Sequence, residues 1–86
     1  MTEKILHEHF QDLSIMEFKM LGSIAYHGEI PSWFTLAQKF RYQESDVKEA
    51  LAKLRKSEYI LDDRVSPKYF FKVVDFIMKN GLEQLL

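Results

Sequence analysis

Eighty-six residues make one domain, and a chain of this length buries only roughly 60% of its unfolded surface. A hydrophobic fraction of 47%, with seven Phe, four Tyr and one Trp, therefore predicts a dense aromatic core or apolar surface left for a partner. The absence of cysteine excludes a disulfide framework, a thiolate metal site and a cysteine nucleophile, and a formal net charge of −1 argues against tight binding to nucleic acid through bulk charge alone.

In chain order, residues 1–12 carry a weak apolar pattern of Ile5, Leu6 and Phe10 and are expected to form a short helix or an arm. Glu3, Lys4, His7, Glu8 and His9 interrupt any apolar run, and no stretch approaches membrane-spanning length. A cytoplasmic protein with no membrane association is the expectation. Ser14 and Glu17 then form a capping box, with Leu13 placed to staple onto Phe18. Phe18, Leu21 and Ala25 make an inward stripe and Gly28 is a helix stop, so a helix is predicted over 15–27. Residues 29–31 read as a short extended link, because the residue before Pro31 is pushed out of the helical region.

Ser32 caps a second helix over 33–41, where Trp33, Leu36, Ala37 and Phe40 cluster on one side. Phe34 points the other way, beside Gln38 and Arg41. It is either a partner-facing aromatic or packed under the C-terminal helix or the N-terminal arm. The third helix is predicted over 44–57, with Val47, Ala50, Leu51 and Leu54 inward. Its outward face is Ser45, Glu49, Ala52 and Lys56, flanked by Lys48 and Lys53. These lysines lie outside the apolar stripe, so reversing their charge is expected to leave the fold intact. Ile60 opens a strand, Asp62-Asp63 makes the turn of a very short hairpin, and Arg64 follows it.

Ser66-Pro67 starts the last helix, over 67–80, with Gly81 as its stop and a tail to residue 86. Phe70, Val73, Val74 and Ile77 form one apolar stripe; Tyr69, Val73 and Phe76 form a second. A helix flanking a monomer needs only one. The second is expected to meet a two-fold related copy, giving a homodimer, or else to fold back on the N-terminal arm.

The spacing of Ser32, Leu36, Ala37, Phe40, Val47, Leu51, Leu54 and Ile60 is that of two short helices locked at a steep angle before a strand. It resembles the winged helix-turn-helix superfamily, most closely the small bacterial regulators of the MarR and PadR type. The match is tight over 32–60 and looser from about Ser14 to Asn80. The resemblance implies a mainly α fold with a small β-hairpin as a minimal wing, a C-terminal helix, and binding of double-stranded DNA as a dimeric transcriptional regulator. Two departures stand out: Gln43 holds the place where the family usually has a Ser or Thr cap, and the wing is shorter and less basic.

Charge is unevenly spread. Residues 1–30 carry Lys4 and Lys19 against five acids, a balance of −3, whereas residues 31–68 carry eight Lys or Arg against six acids, a balance of +2. The helix-turn-helix is thus the basic part, though mildly. On its face lysines suit guanine or phosphate, Glu49 suits the cytosine amino group and Ser45 suits either base. Ser45, Lys48, Glu49, Ala52, Lys53, Lys56 and Arg64 are therefore the candidate DNA contacts. The alternative is a winged-helix protein-protein interaction module without DNA binding, with Phe34 and the second stripe of the last helix as its partner surface. An enzyme is not expected, nor a metal or cofactor: His7, His9 and His27 lack completing ligands, Asp62-Asp63 lacks calcium-loop spacing, and three scattered Gly make no phosphate loop.

Overall fold

The computed structural model describes residues 3–28 and 33–83. Among them the order of elements is α1 (Glu3–His7), α2 (Ile15–His27), α3 (Trp33–Phe40), α4 (Glu44–Lys56), β1 (Ile60–Leu61), β2 (Arg64–Val65) and α5 (Pro67–Lys79). The described residues are mostly helical with one two-stranded antiparallel hairpin, as expected. The anticipated link over 29–31, the Ser32 cap, Leu85, Leu86 and the side chain of Trp33 lie outside the described residues.

Local chemistry accounts for the helix starts. Ser14 Oγ accepts the Glu17 N–H at 3.2 Å while the Glu17 carboxylate accepts the Ser14 N–H at 2.8 Å, so both halves of the capping box form. Ser66 Oγ accepts the Lys68 N–H at 3.3 Å with Pro67 in the first helical position. Gln43, extended at the start of α4, makes no side-chain cap.

The helix ends are less orthodox. Gly28 and Gly81 take the left-handed conformation at φ 81° and 61°, as stop glycines should. Arg41 and Glu58 do the same at φ 60° and 63° without being glycine. In each case the next residue returns to the last turn: the Tyr42 N–H to Ala37 C=O and the Tyr59 N–H to Leu54 C=O, both at 3.0 Å. Those bonds, together with the pull of Tyr42 and the buried Tyr59 toward the core, hold two residues where their Cβ atoms are disfavoured.

The hairpin pairs Ile60 with Val65 and Leu61 with Arg64. Ile60 and Val65 are buried while Leu61 and Arg64 are exposed, the alternation of a half-buried ribbon. Asp62 turns it with φ 56°, a region aspartate tolerates better than most residues.

Helix α2 is the centre of the structure: it packs against α4, β2 and α5, and every residue from Met20 to Ala25 is buried. Such a helix is apolar all round rather than along one stripe. Helix α3 packs on α4, with Leu36, Ala37, Val47, Leu51 and Leu54 buried and Phe40 partly so.

The N-terminal residues are part of this core. Leu6, Phe10 and Leu13 are all buried, and the His7 Nε2–H donates to the Leu13 carbonyl at 3.0 Å, fastening the end of α1. Phe10, Phe18 and Phe76 form a triangle of rings, with centroids 5.2, 5.8 and 5.0 Å apart. The second stripe of α5 is therefore spent inside the chain. Phe76 also meets the edge of His9, Tyr69 stacks on Tyr59 at 4.4 Å, and Val73 is fully buried. This corrects the expectation that Tyr69, Val73 and Phe76 form a dimer surface: Val73 and Phe76 are buried within the chain, Phe76 against His9 and Phe10 as in the alternative of packing on the N-terminal arm, and Tyr69 is half-buried on Tyr59.

Phe10→Ala should cost about 3–5 kcal/mol in urea melts, the range for truncating a core phenylalanine; a loss below about 1 kcal/mol would mean that the N-terminal residues are not core. Glu58→Gly should raise stability by roughly 0.5–1 kcal/mol, because relief of left-handed strain exceeds the added chain entropy. A destabilised Glu58→Gly would show that the glutamate is held there by contacts worth more than the strain.

Candidate nucleic-acid interface

Val47, Ala50, Leu51 and Leu54 turn α4 toward the core, and this leaves Ser45, Lys48, Glu49, Ala52 and Lys56 exposed along its outer side. The face runs the length of the helix, which at 1.5 Å per residue is about 20 Å. Glu44 and Asp46 occupy its first turn and Lys53, Arg55 and Lys56 its last, so each end carries the charge that suits the helix dipole.

Lys53 is not like the other lysines of this face. Its ammonium donates to Glu17 Oε1 at 3.1 Å and to the Asp12 carbonyl at 2.9 Å, and lies 3.1 Å from Glu17 Oε2. The Lys53 side chain is 48% exposed but that of Glu17 only 8%. Burial pushes the Glu17 carboxyl up, but the Ser14 N–H, the Lys53 ammonium and the Ser14 hydroxyl outweigh it and leave its pKa below the ordinary value of 4.5. Asp12 is held in turn by Tyr59, whose hydroxyl donates to Asp12 Oδ1 at 2.7 Å. Burial first, and then this hydrogen bond to a carboxylate, raise the Tyr59 phenol above its ordinary value.

The start of α2 and the outer side of α4 thus enclose a groove of about 580 Å³, lined by Met16, Glu17, Glu49, Ala52, Lys53 and Lys56 among others. Of the candidate contacts, the structure brings Glu49, Ala52, Lys53 and Lys56 to this one groove. Ser45 and Lys48 are exposed on the same helix. Arg64 lies elsewhere, in a concavity with Val65, Pro67, Phe70 and Phe71. Phe34, on α3, is 48% exposed.

This corrects the expectation that charge reversal at Lys48, Lys53 and Lys56 leaves the fold intact, because Lys53 is bonded to Glu17. A glutamate at position 53 would face the buried Glu17 carboxylate with no cation between them. The Glu17–Lys53 pair joins residues 36 apart in the chain, which is why no local pattern announces it. The same holds for Lys39, which reaches Ser23 Oγ at 3.4 Å and His27 Nε2 at 3.3 Å across α2 and α3. Among the described residues no group of three or more His, Cys, Asp or Glu is placed to hold a metal, and no helix is long and apolar enough to cross a membrane.

Because its pKa is lowered in the folded state, Glu17 contributes stability that is present in full above the ordinary carboxyl value of 4.5 and is lost as the pH falls below it. Wild type should be more stable than Glu17→Gln at pH 7, and urea melts should show the two converging on acidification through that range. A gap between them that does not change with pH would contradict the assignment.

Comparison with protein-family models, with curated proteins and with solved structures finds no match to this chain.

Proposed function

We infer that the chain is a DNA-binding winged-helix protein acting as a small transcriptional regulator in the cytoplasm, with α3 and α4 as its helix-turn-helix, β1–β2 as a minimal wing and double-stranded DNA as its partner. The observation that carries this is the outer side of α4, where Ser45, Lys48, Glu49, Ala52 and Lys56 are exposed together while the opposite side is locked to α2 and α3. A helix so presented fits a major groove, and this mixture of hydroxyl, carboxylate and ammonium groups can address base edges as well as phosphate.

Affinity follows from the exposed cations of this face. Lys53 is paired with Glu17 and the hairpin tip is Asp62-Asp63, so the phosphate contact falls to the exposed lysines of the outer side, Lys56 and Lys48. Two such contacts give weak binding and a log K against log salt slope of about −2. A dimer would double the contacts, but through a surface other than Tyr69, Val73 and Phe76, of which the last two are buried.

One observation favours a second reading, an interaction module without DNA binding: α5 leaves Phe71 and Met78 at 80% and 62% exposure while the basic face of α4 loses Lys53. Gel shifts of random-sequence duplex across a salt series separate the two. A DNA-binding protein retards duplex at low salt, with the slope above, and Lys48→Glu with Lys56→Glu abolishes retardation in a variant whose circular dichroism shows it still folded. No retardation by wild type at low salt and high micromolar concentration would overturn the DNA reading and leave the second.

A further inference from the structure

Helix α5 is apolar over far more of its circumference than its packing uses. Val73, Phe76 and Ile77 are buried; on the outer side Phe71 and Met78 are exposed with the half-buried Val74 between them, at positions i, i+3 and i+7. This stripe spans two turns, about 10 Å along the helix. It lines a concavity of about 480 Å³ with Lys72 and Asp75, and Phe71 also borders the neighbouring one of about 370 Å³ with Arg64, Val65, Pro67 and Phe70. The two share the Phe71 ring and so form one apolar track.

Its polar edge is positive. Lys68, Lys72 and Lys79 lie along one side of α5, all exposed, against the single acid Asp75, which pairs with Lys79 at 3.0 Å. Arg64 borders the far end. Lys72 lines the track itself, beside Phe71, Val74 and Asp75, while Lys68 and Lys72 also lie 5.3 and 4.8 Å from the ring centres of Tyr69 and Phe10.

We propose that this face of α5 docks an acidic amphipathic helix of another protein, whose large apolar residues lie along Phe71, Val74 and Met78 and whose carboxylates meet Lys68, Lys72 and Arg64. Charge selects this occupant over a second copy. An antiparallel two-fold pair sets the same edge of the two helices together, lysines against lysines, whereas a helix edged with Glu or Asp is complementary. Its length also fits: two turns offering apolar groups at i, i+3 or i+4, and i+7 cover the stripe, the usual geometry of a helix laid in a groove. The surface is on a different element from α4, so the proposal stands whether or not α4 meets DNA.

The test titrates the whole chain with two synthetic helical peptides that share one leucine pattern, at i, i+3, i+4 and i+7, one edged with glutamate and the other with lysine. The glutamate peptide should bind with chemical-shift changes concentrated at residues 68–78, about tenfold more tightly than its lysine sister, and more weakly as salt rises. Phe71→Ala with Met78→Ala should weaken it by about tenfold or more; both side chains are exposed, and an unchanged melt confirms the fold. Equal binding of the two peptides, or no binding at millimolar concentration, would overturn the proposal. So would concentration-dependent dimerisation of wild type that Phe71→Glu abolishes, which would assign the face to a second copy. Partition of wild type onto phosphatidylglycerol vesicles with the Phe71 region shielded, where the glutamate peptide does not bind, would assign it to a lipid surface.

Discussion

One ammonium group, that of Lys53, fixes how the outer side of α4 is presented. It sits between the Glu17 carboxylate and the Asp12 carbonyl, and so ties the middle of α4 to the segment that opens α2. A carboxylate as buried as Glu17 is tolerable only when its lone pairs are occupied. The capping box supplies the Ser14 N–H and Lys53 supplies the rest. The cap that starts α2 thereby also sets the roll of α4. Tyr59 closes the loop by donating to Asp12, which brings the residue preceding β1 to the same point.

The N-terminal residues make this arrangement possible. Phe10 fills the space between Phe18 and Phe76, and Leu6 and Leu13 are buried beside it in the same core. With that segment in place α5 has no uncovered second stripe at Tyr69 and Phe76, and its exposed apolar side is displaced to Phe71, Val74 and Met78. The lysines of the outer side of α4 differ in kind: Lys53 is bonded to Glu17 and Asp12, whereas Lys48 and Lys56 are exposed on the same side.

Signals that act within a few residues were legible in the sequence. Ser14 with Glu17, Ser66 with Pro67, Gly28 and Gly81 place the boundaries of α2 and α5, and the spacing of Val47, Leu51 and Leu54 gives the buried side of α4. Contacts between distant residues were not. Nothing near Lys53 distinguishes it from Lys56, because the difference is a carboxylate 36 positions away. Arg41 and Glu58 end their helices in a conformation that local preference assigns to glycine, since the hydrogen bonds of Tyr42 and Tyr59 and the packing of their rings dictate the backbone there. The role of Phe10 was hidden for the same reason: the rings it packs against are Phe18 of α2, Tyr59 just before β1 and Phe76 of α5, none of them in its own segment.

A double-mutant cycle between Glu17→Gln and Lys53→Met, read in urea melts at pH 7, tests most directly whether this pair holds α4 in place. Groups in one hydrogen-bonded network couple by roughly 0.5–3 kcal/mol, and a coupling of about 1 kcal/mol or more is expected here. Effects that add to within about 0.3 kcal/mol would show that Lys53 is an ordinary surface lysine and that the roll of α4 is set by its apolar stripe alone.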